Sequence, residues 1–228
     1  MKAFFKIMLR TLDVDAARAF YAAVLGDVSL EIVPLHEVAI ARGARPHWLG
    51  FVDVGDVERA AAAFLERGAT QLAPTWVNPE GLQAAVMRDP AGAVVALAKP
   101  SERSTRFGPE VLWYLLHTND VERARASYGE LFGWAFDAPT DLGSHGVLHP
   151  FAWEPGGAPV GAMSDVSTRP GVHPHWLFNI RVASLDESVD AVLAGGGVVV
   201  GPFTLPSGAR VAICDDPQGA AFAIRERL

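Results

Sequence analysis

The chain of 228 residues contains one cysteine, Cys214, with no CxxC neighbour. One cysteine forms no internal disulfide, so disulfide scaffolds and cysteine zinc sites are excluded. Positive charge is also scarce: 19 Lys and Arg stand against 26 Asp and Glu, a formal net charge of −7. Nucleic-acid binding neutralises phosphates with lysine and arginine, and this balance argues against it. No apolar run approaches the roughly 20 residues of a membrane span. The opening MKAFFKIMLR is interrupted by Lys6 and Arg10, and no small-residue cleavage site follows. It does not read as a signal peptide, and a soluble, cytoplasmic protein is expected. P-loop and GxSxG motifs are missing, and Gly195-Gly196-Gly197 follows a helical pattern as a helix stop. What is present is apolar mass: half the residues are hydrophobic and a fifth are charged. That suffices to bury a core, in one large domain or two small ones.

The chain repeats itself. Pro46-His47-Trp48 recurs as Pro174-His175-Trp176, and Asp89-Pro90-Ala91-Gly92 is answered by Asp216-Pro217-Gln218-Gly219. TLDVDAARAFY, ending at Tyr21, matches TNDVERARASY, ending at Tyr128. Within each half, short apolar runs alternate with helical spacing. The pattern predicts a strand over 4–9 and a helix capped near Asp13 and stopped by Gly26. Strand-like segments follow at Ser29–Val33 and Val38–Ala41, then a strand over 48–54 and a helix over 57–65. Strands at 82–87 and 94–98 flank the Asp-Pro turn. The second half predicts the same order: strand 111–117, helix 121–131, strands near 134–138, 146–152 and 159–163. Strand 176–182, helix 185–194 and strands at 198–200, 209–214 and 221–225 complete it. The unit is βαβββ, used four times. The first copy is abbreviated, because Gly26 to Pro46 spans about half the residues of Gly133 to Pro174. Two domains are expected, 1–100 and 108–228, joined by the polar linker 99–106.

The helix-leading segments Asp13–Tyr21 and Asn119–Tyr128, the Leu131-Phe132-Gly133-Trp134 stretch and the closing Asp-Pro-x-Gly turns resemble the vicinal oxygen chelate superfamily. That family comprises glyoxalase I, bleomycin- and fosfomycin-resistance proteins and extradiol dioxygenases. The resemblance covers nearly the whole chain. It implies an α+β fold in which four βαβββ modules form two glyoxalase-like domains with cupped mixed sheets that hold a small-molecule ligand. It also implies a divalent metal held by His, Glu or Gln on the first and last strands of the modules. Mapped here, those positions are Lys6, Leu49, Trp113 and Leu177, with Ala96 and Ala223 on the last strands. None is a useful ligand, so neither metal nor other cofactor is expected. Glu31 and Glu37 are the only carboxylates near the abbreviated module. His145 with His149, and His173 with His175, offer a second route to a metal, or are loop and sheet-edge histidines.

Strand alternation places residues two apart on one face. If the first-strand ligand position faces the cup, so do Lys6, Met8 and Arg10, then His47, Leu49, Phe51 and Asp53. In the second half the same face carries Trp113, Leu115 and His117, then His175, Leu177, Asn179 and Arg181. Phe5, Ile7, Val52, Leu116, Phe178 and Ile180 lie opposite and should pack on helices. Trp113 is expected to stack on a planar ligand in an apolar cup. His117, His175, Asn179 and Arg181 orient its polar atoms, and Leu115 lines it. Alternatively, Arg181 and Asp53 end their strands in solvent and Trp113 only fills the space of the missing metal. His47 and His175, each before a tryptophan, fit a repeated sheet-end hydrogen bond. Cys214 reads as a buried thiol. Two functions follow: a metal-independent small-molecule binder of the bleomycin-resistance type, or a glyoxalase-like lyase, isomerase, dioxygenase or hydroxylase using non-standard catalytic or metal-ligating residues. Sheet edges make a homodimer compatible with either.

Overall fold

A computed structural model describes residues 2–102, 108–143, 146–205 and 207–227. His145 and residues 103–106, half of the expected linker, lie outside the described residues. The first half runs β1 (Phe4–Thr11), α1 (Val14–Leu25), β2 (Ile32–Pro34), α2 (Glu37–Ala41), β3 (His47–Asp53), α3 (Val57–Glu66), β4 (Thr70–Gln71), β5 (Trp76–Val77), β6 (Gln83–Arg88) and β7 (Val94–Lys99). The second half runs β8 (Val111–Thr118), α4 (Val121–Phe132), β9 (Ala135–Phe136), β10 (Thr140–Asp141), β11 (Val147–Ala152), β12 (Gly161–Asp165), β13 (His175–Val182), α5 (Leu185–Ala194), β14 (Val198–Thr204), β15 (Arg210–Asp215) and β16 (Ala221–Glu226). Each half builds one mixed sheet. The first has the order β2-β1-β3-β7-β6-β4, with β5 paired to β6. The second has the order β10-β11-β12-β8-β13-β16-β15-β14, with β9 paired to β11.

Local chemistry accounts for the helices. Asp13, Asp56 and Asp120 each accept a hydrogen bond from a first-turn amide, and Ser184 does the same for α5. Gly26 and Gly133 follow the last residues of α1 and α4 at positive φ. One expected strand is a helix. Val38–Ala41 belongs to α2, which His36 caps by accepting from the Val38 amide at 3.2 Å. The cause is topological. β2 is the edge of its sheet and pairs only with β1, so no further strand offers Val38 and Ile40 a ladder, and both side chains stay exposed. The abbreviated module thus keeps one three-residue strand after its helix, where the third module has four.

The chain forms two compact units, and each draws on both halves. One contains the segment up to Lys6, the residues from Gly50 to the linker, and Tyr114–Trp176. In it α3 packs on α4, and Arg67 bonds Glu130 at 2.7 Å. Phe4, Tyr114, Trp134, Phe151, Trp153 and Trp176 form an aromatic core, with Trp134 stacked on Phe151 at 4.9 Å. The other contains Ile7–Leu49, a segment ending at Trp113, and the residues from Leu177 onward. There α1 packs on α5, and Ser188 donates to the Val24 carbonyl at 2.9 Å. Gly195 is small of necessity, since a Cβ there would sit 2.7 Å from the Phe20 ring.

Each unit holds the same buried hydrogen-bond chain. In one, Trp176 Nε1 donates to the Tyr128 hydroxyl at 3.3 Å, which donates to Asp89 at 3.0 Å. In the other, Trp48 Nε1 donates to Tyr21, and Tyr21 donates to Asp216, both at 3.1 Å. The second oxygen of Asp89 accepts from the Ala91, Gly92 and Ala93 amides, and that of Asp216 from Gln218 and Ala220. The three fragments by which the sequence repeats are the three members of this chain.

Candidate ligand site

The six positions that the resemblance assigns to metal ligands carry no donor suited to a metal. Leu49, Leu177, Ala96 and Ala223 are fully buried and apolar. The Lys6 ammonium lies 5.4 Å from the Phe51 ring centroid. Trp113 lies beneath the Arg225 guanidinium. Hydrocarbon, an indole and an ammonium do not fit a divalent cation. Glu31 is exposed, and Glu37 opens α2. Among the described residues, no group of three or more His, Cys, Asp or Glu is arranged to hold a metal ion.

Alternation along β8 and β13 has the burial expected of the helix-facing side: Leu116, Phe178 and Ile180 are fully inaccessible. The face bearing Trp113, Leu115 and His117 is less uniform. Trp113 and Leu115 are half-buried, while His117 is buried. On β13, Leu177 and Asn179 are buried, and Arg181 is exposed.

The predicted site residues fall into two groups, one in each unit. Trp113, Asn179 and Arg181 belong to the unit built on α1 and α5. Arg181 is held by Glu110, with an ion pair at 3.5 Å and a backbone bond at 2.8 Å, and Glu110 also reaches Arg227 at 3.3 Å. Asn179 is in register with Ala223, and Arg181 with Arg225. Arg225 is the residue that sequence reasoning passed over. Its guanidinium lies 5.8 Å from the Trp113 centroid, and burial lowers its pKa. It has no ion pair among the described residues. The signal was available, since the alternation that places Ala223 on this face also places Arg225 there. Arg10, in the same unit, was predicted to face the first cup. Its Nε is buried without a hydrogen-bond partner.

Leu115, His117 and His175 belong to the unit built on α3 and α4. The His117 and His175 rings are 5.0 Å apart, and those of His173 and His175 are 4.9 Å apart. Burial, then the neighbouring His175, Arg169 and His173, push the His117 imidazole down to about 3. Burial also lowers His175, against the opposing effect of its bond to the His173 carbonyl. That bond, from Nδ1 at 2.8 Å, fixes the tautomer: a carbonyl only accepts, so neutral His175 leaves its lone pair on Nε2. His47 makes the same bond to the Arg45 carbonyl at 2.7 Å. The repeated histidine therefore has the sheet-end hydrogen bond in both halves. The Nδ1 atoms of His117 and His149 are buried without protein partners. His149, Val147, Asp165, Thr168 and Arg169 border a hollow of about 480 Å³ in this unit. Asp53 bonds the Gly55 amide at 3.1 Å, a turn role. Burial pushes the Cys214 thiol up to about 12, so it is a packed side chain and not a nucleophile.

Comparisons with known proteins match this architecture. Residues 110–224 match the model of the Glyoxalase/Bleomycin resistance protein/Dioxygenase superfamily. The anthracycline biosynthesis protein DauV of Streptomyces sp. strain C5 is 34% identical over 150 residues, covering 62% of this chain and 52% of its own. The chain thus spans about half the length of that relative. CFP32 of Mycobacterium tuberculosis, whose name marks it as a candidate glyoxylase, is 25% identical over 95% of this chain and 91% of its own. The Mn(II)-bound glyoxalase of Novosphingobium aromaticivorans superposes with a TM-score of 0.63 at 12% identity, covering 99% of this chain and 83% of its own. No helix among the described residues is long and apolar enough to cross a membrane. By sequence match and by fold, the chain belongs to the Glyoxalase/Bleomycin resistance protein/Dioxygenase superfamily.

Proposed function

We propose that this protein binds a planar small molecule without a metal, using the Trp113 face of the second sheet. The observation that carries this reading is the residue set at the six family ligand positions: an ammonium, an indole and four buried aliphatic side chains. Such a set keeps the walls of a ligand site and leaves no coordination chemistry in it. Trp113 supplies a half-buried aromatic plane, and the buried Asn179 amide is a polar group of the same unit. A mainly apolar surface with few polar groups suits a small organic ligand. The Streptomyces relative supports a planar ligand, because its name places it in anthracycline biosynthesis and anthracyclines are fused-ring aromatics.

The test is a thermal-shift screen of the whole chain against planar aromatic compounds, before and after exhaustive treatment with a chelator. The expected result is an unchanged melting temperature and unchanged ligand shifts after chelation. Trp113→Ala is expected to weaken binding by about tenfold or more, the scale of one lost aromatic contact. Stoichiometric Zn, Ni, Fe or Mn in the purified protein, lost together with ligand binding on chelation, would overturn metal independence. Full binding by Trp113→Ala would overturn the site.

A further inference from the structure

Beside two positions that the family resemblance assigns to metal ligands, the second sheet carries a guanidinium. Trp113 and Ala223 replace a first-strand and a last-strand ligand of the second sheet. Arg225 lies two residues beyond Ala223, on the same face of β16, with its guanidinium over the Trp113 ring at 5.8 Å. Arg181, beside it in register, is engaged by Glu110, and so is Arg227. One carboxylate therefore serves two arginines, and Arg225 has none among the described residues. A half-buried guanidinium on an aromatic face, without a carboxylate partner among the described residues, presents donors suited to an anion.

We propose that Arg225 is the anion-binding group of this site, taking the electrostatic place of the family's metal by gripping a carboxylate or phenolate oxygen of the ligand through hydrogen bonds. The assignment rests on the planar-ligand reading above and names its charge class. Guanidinium can fix an anionic oxygen in a planar fork beside the Trp113 plane, but it offers no open coordination position. The ligand class is then a planar aromatic that bears one anionic oxygen at its edge. Arg181, exposed and engaged by the Glu110 carboxylate that it shares with Arg227, is not the group that discriminates ligand charge.

The experiment uses two probes of one shape, 2-naphthoate and its uncharged amide, 2-naphthamide. Their affinities for the full chain are measured by calorimetry and by saturation-transfer NMR. Wild type is expected to prefer the naphthoate by about tenfold, the scale of one charge-assisted hydrogen bond. Arg225→Gln should abolish that preference by bringing the two affinities together, with its cooperative thermal melt as the folding control. Arg181→Gln should keep the preference. If Arg225→Gln retains it, Arg181→Gln loses it, or wild type binds both probes equally, the Arg225 assignment falls while the planar-ligand reading stands. If wild type binds neither probe, both fall.

Discussion

At the scale of single residues, the charge state of a side chain is set by what the fold packs around it, as Arg225 over Trp113 and the buried His117 illustrate. Parity in the sequence puts Trp113, Leu115 and His117 on one face, but not that Glu110 engages Arg181 while Arg225 lies over Trp113. Those are outcomes of competition among charges brought together by β8, β13 and β16. His117 is a clear case. It is neutral because it is buried beside other histidines and Arg169, not because of its strand position. Its folded pKa of about 3 lies below the ordinary 6.5, so its protonation opposes folding. The stability it permits is complete above pH 6.5 and is lost as pH falls toward 3. His117→Gln should therefore flatten the acid limb of the stability profile by up to ~1.4 kcal/mol per pH unit across that window. Denaturant melts between pH 7 and pH 4 measure this; parallel profiles for variant and wild type would show that His117 does not titrate with folding.

At the scale of elements, the caps were read correctly because capping is local. Asp13 and Gly26 bracket α1, as the sequence indicates, while the Ser184 cap of α5 comes from the structure. α2 was missed because Val38 and Ile40 mimic strand alternation, and a sheet edge is not visible in a sequence window. The repeats were legible as markers but not as partners. Tyr128, Trp176 and Asp89 belong to three separate repeated segments, and the fold joins them in one buried chain. Tyr128→Phe tests that junction. It removes the hydroxyl and leaves a buried carboxylate oxygen and an indole N–H without partners, at a cost of about 1–3 kcal/mol. Burial already raises the Asp89 pKa, so losing its donor raises it further, and the cost grows as pH rises above the ordinary carboxylate value of 3.8. Equilibrium unfolding in denaturant should give a lower midpoint for Tyr128→Phe, and also for Tyr21→Phe in the other unit. An unchanged midpoint would make the chain of bonds ornamental.

At the scale of the whole molecule, composition and repeat gave two halves, and each half does build its own sheet. The compact units follow a different division. α1 packs on α5 and α3 on α4, so each unit takes one helix pair from opposite halves. The apolar stripe of a helix states that it is covered, not by which segment, and this left the partnership open in the sequence. Residues 1–102 and 103–228, produced separately, should each lack a cooperative unfolding transition and regain one on mixing. A sharp melt from either fragment alone would show that a half is self-sufficient. The buried Tyr–Asp–Trp chain carries this division into descent. Within one half, Tyr21 and Trp48 are present, but the aspartate they use is Asp216, while Asp89 serves Tyr128. A half-length ancestor could complete the chain only by lending its aspartate to a second copy and borrowing that copy's in return. In the present chain neither half can be discarded without orphaning the buried hydroxyl, carboxylate and indole of the other.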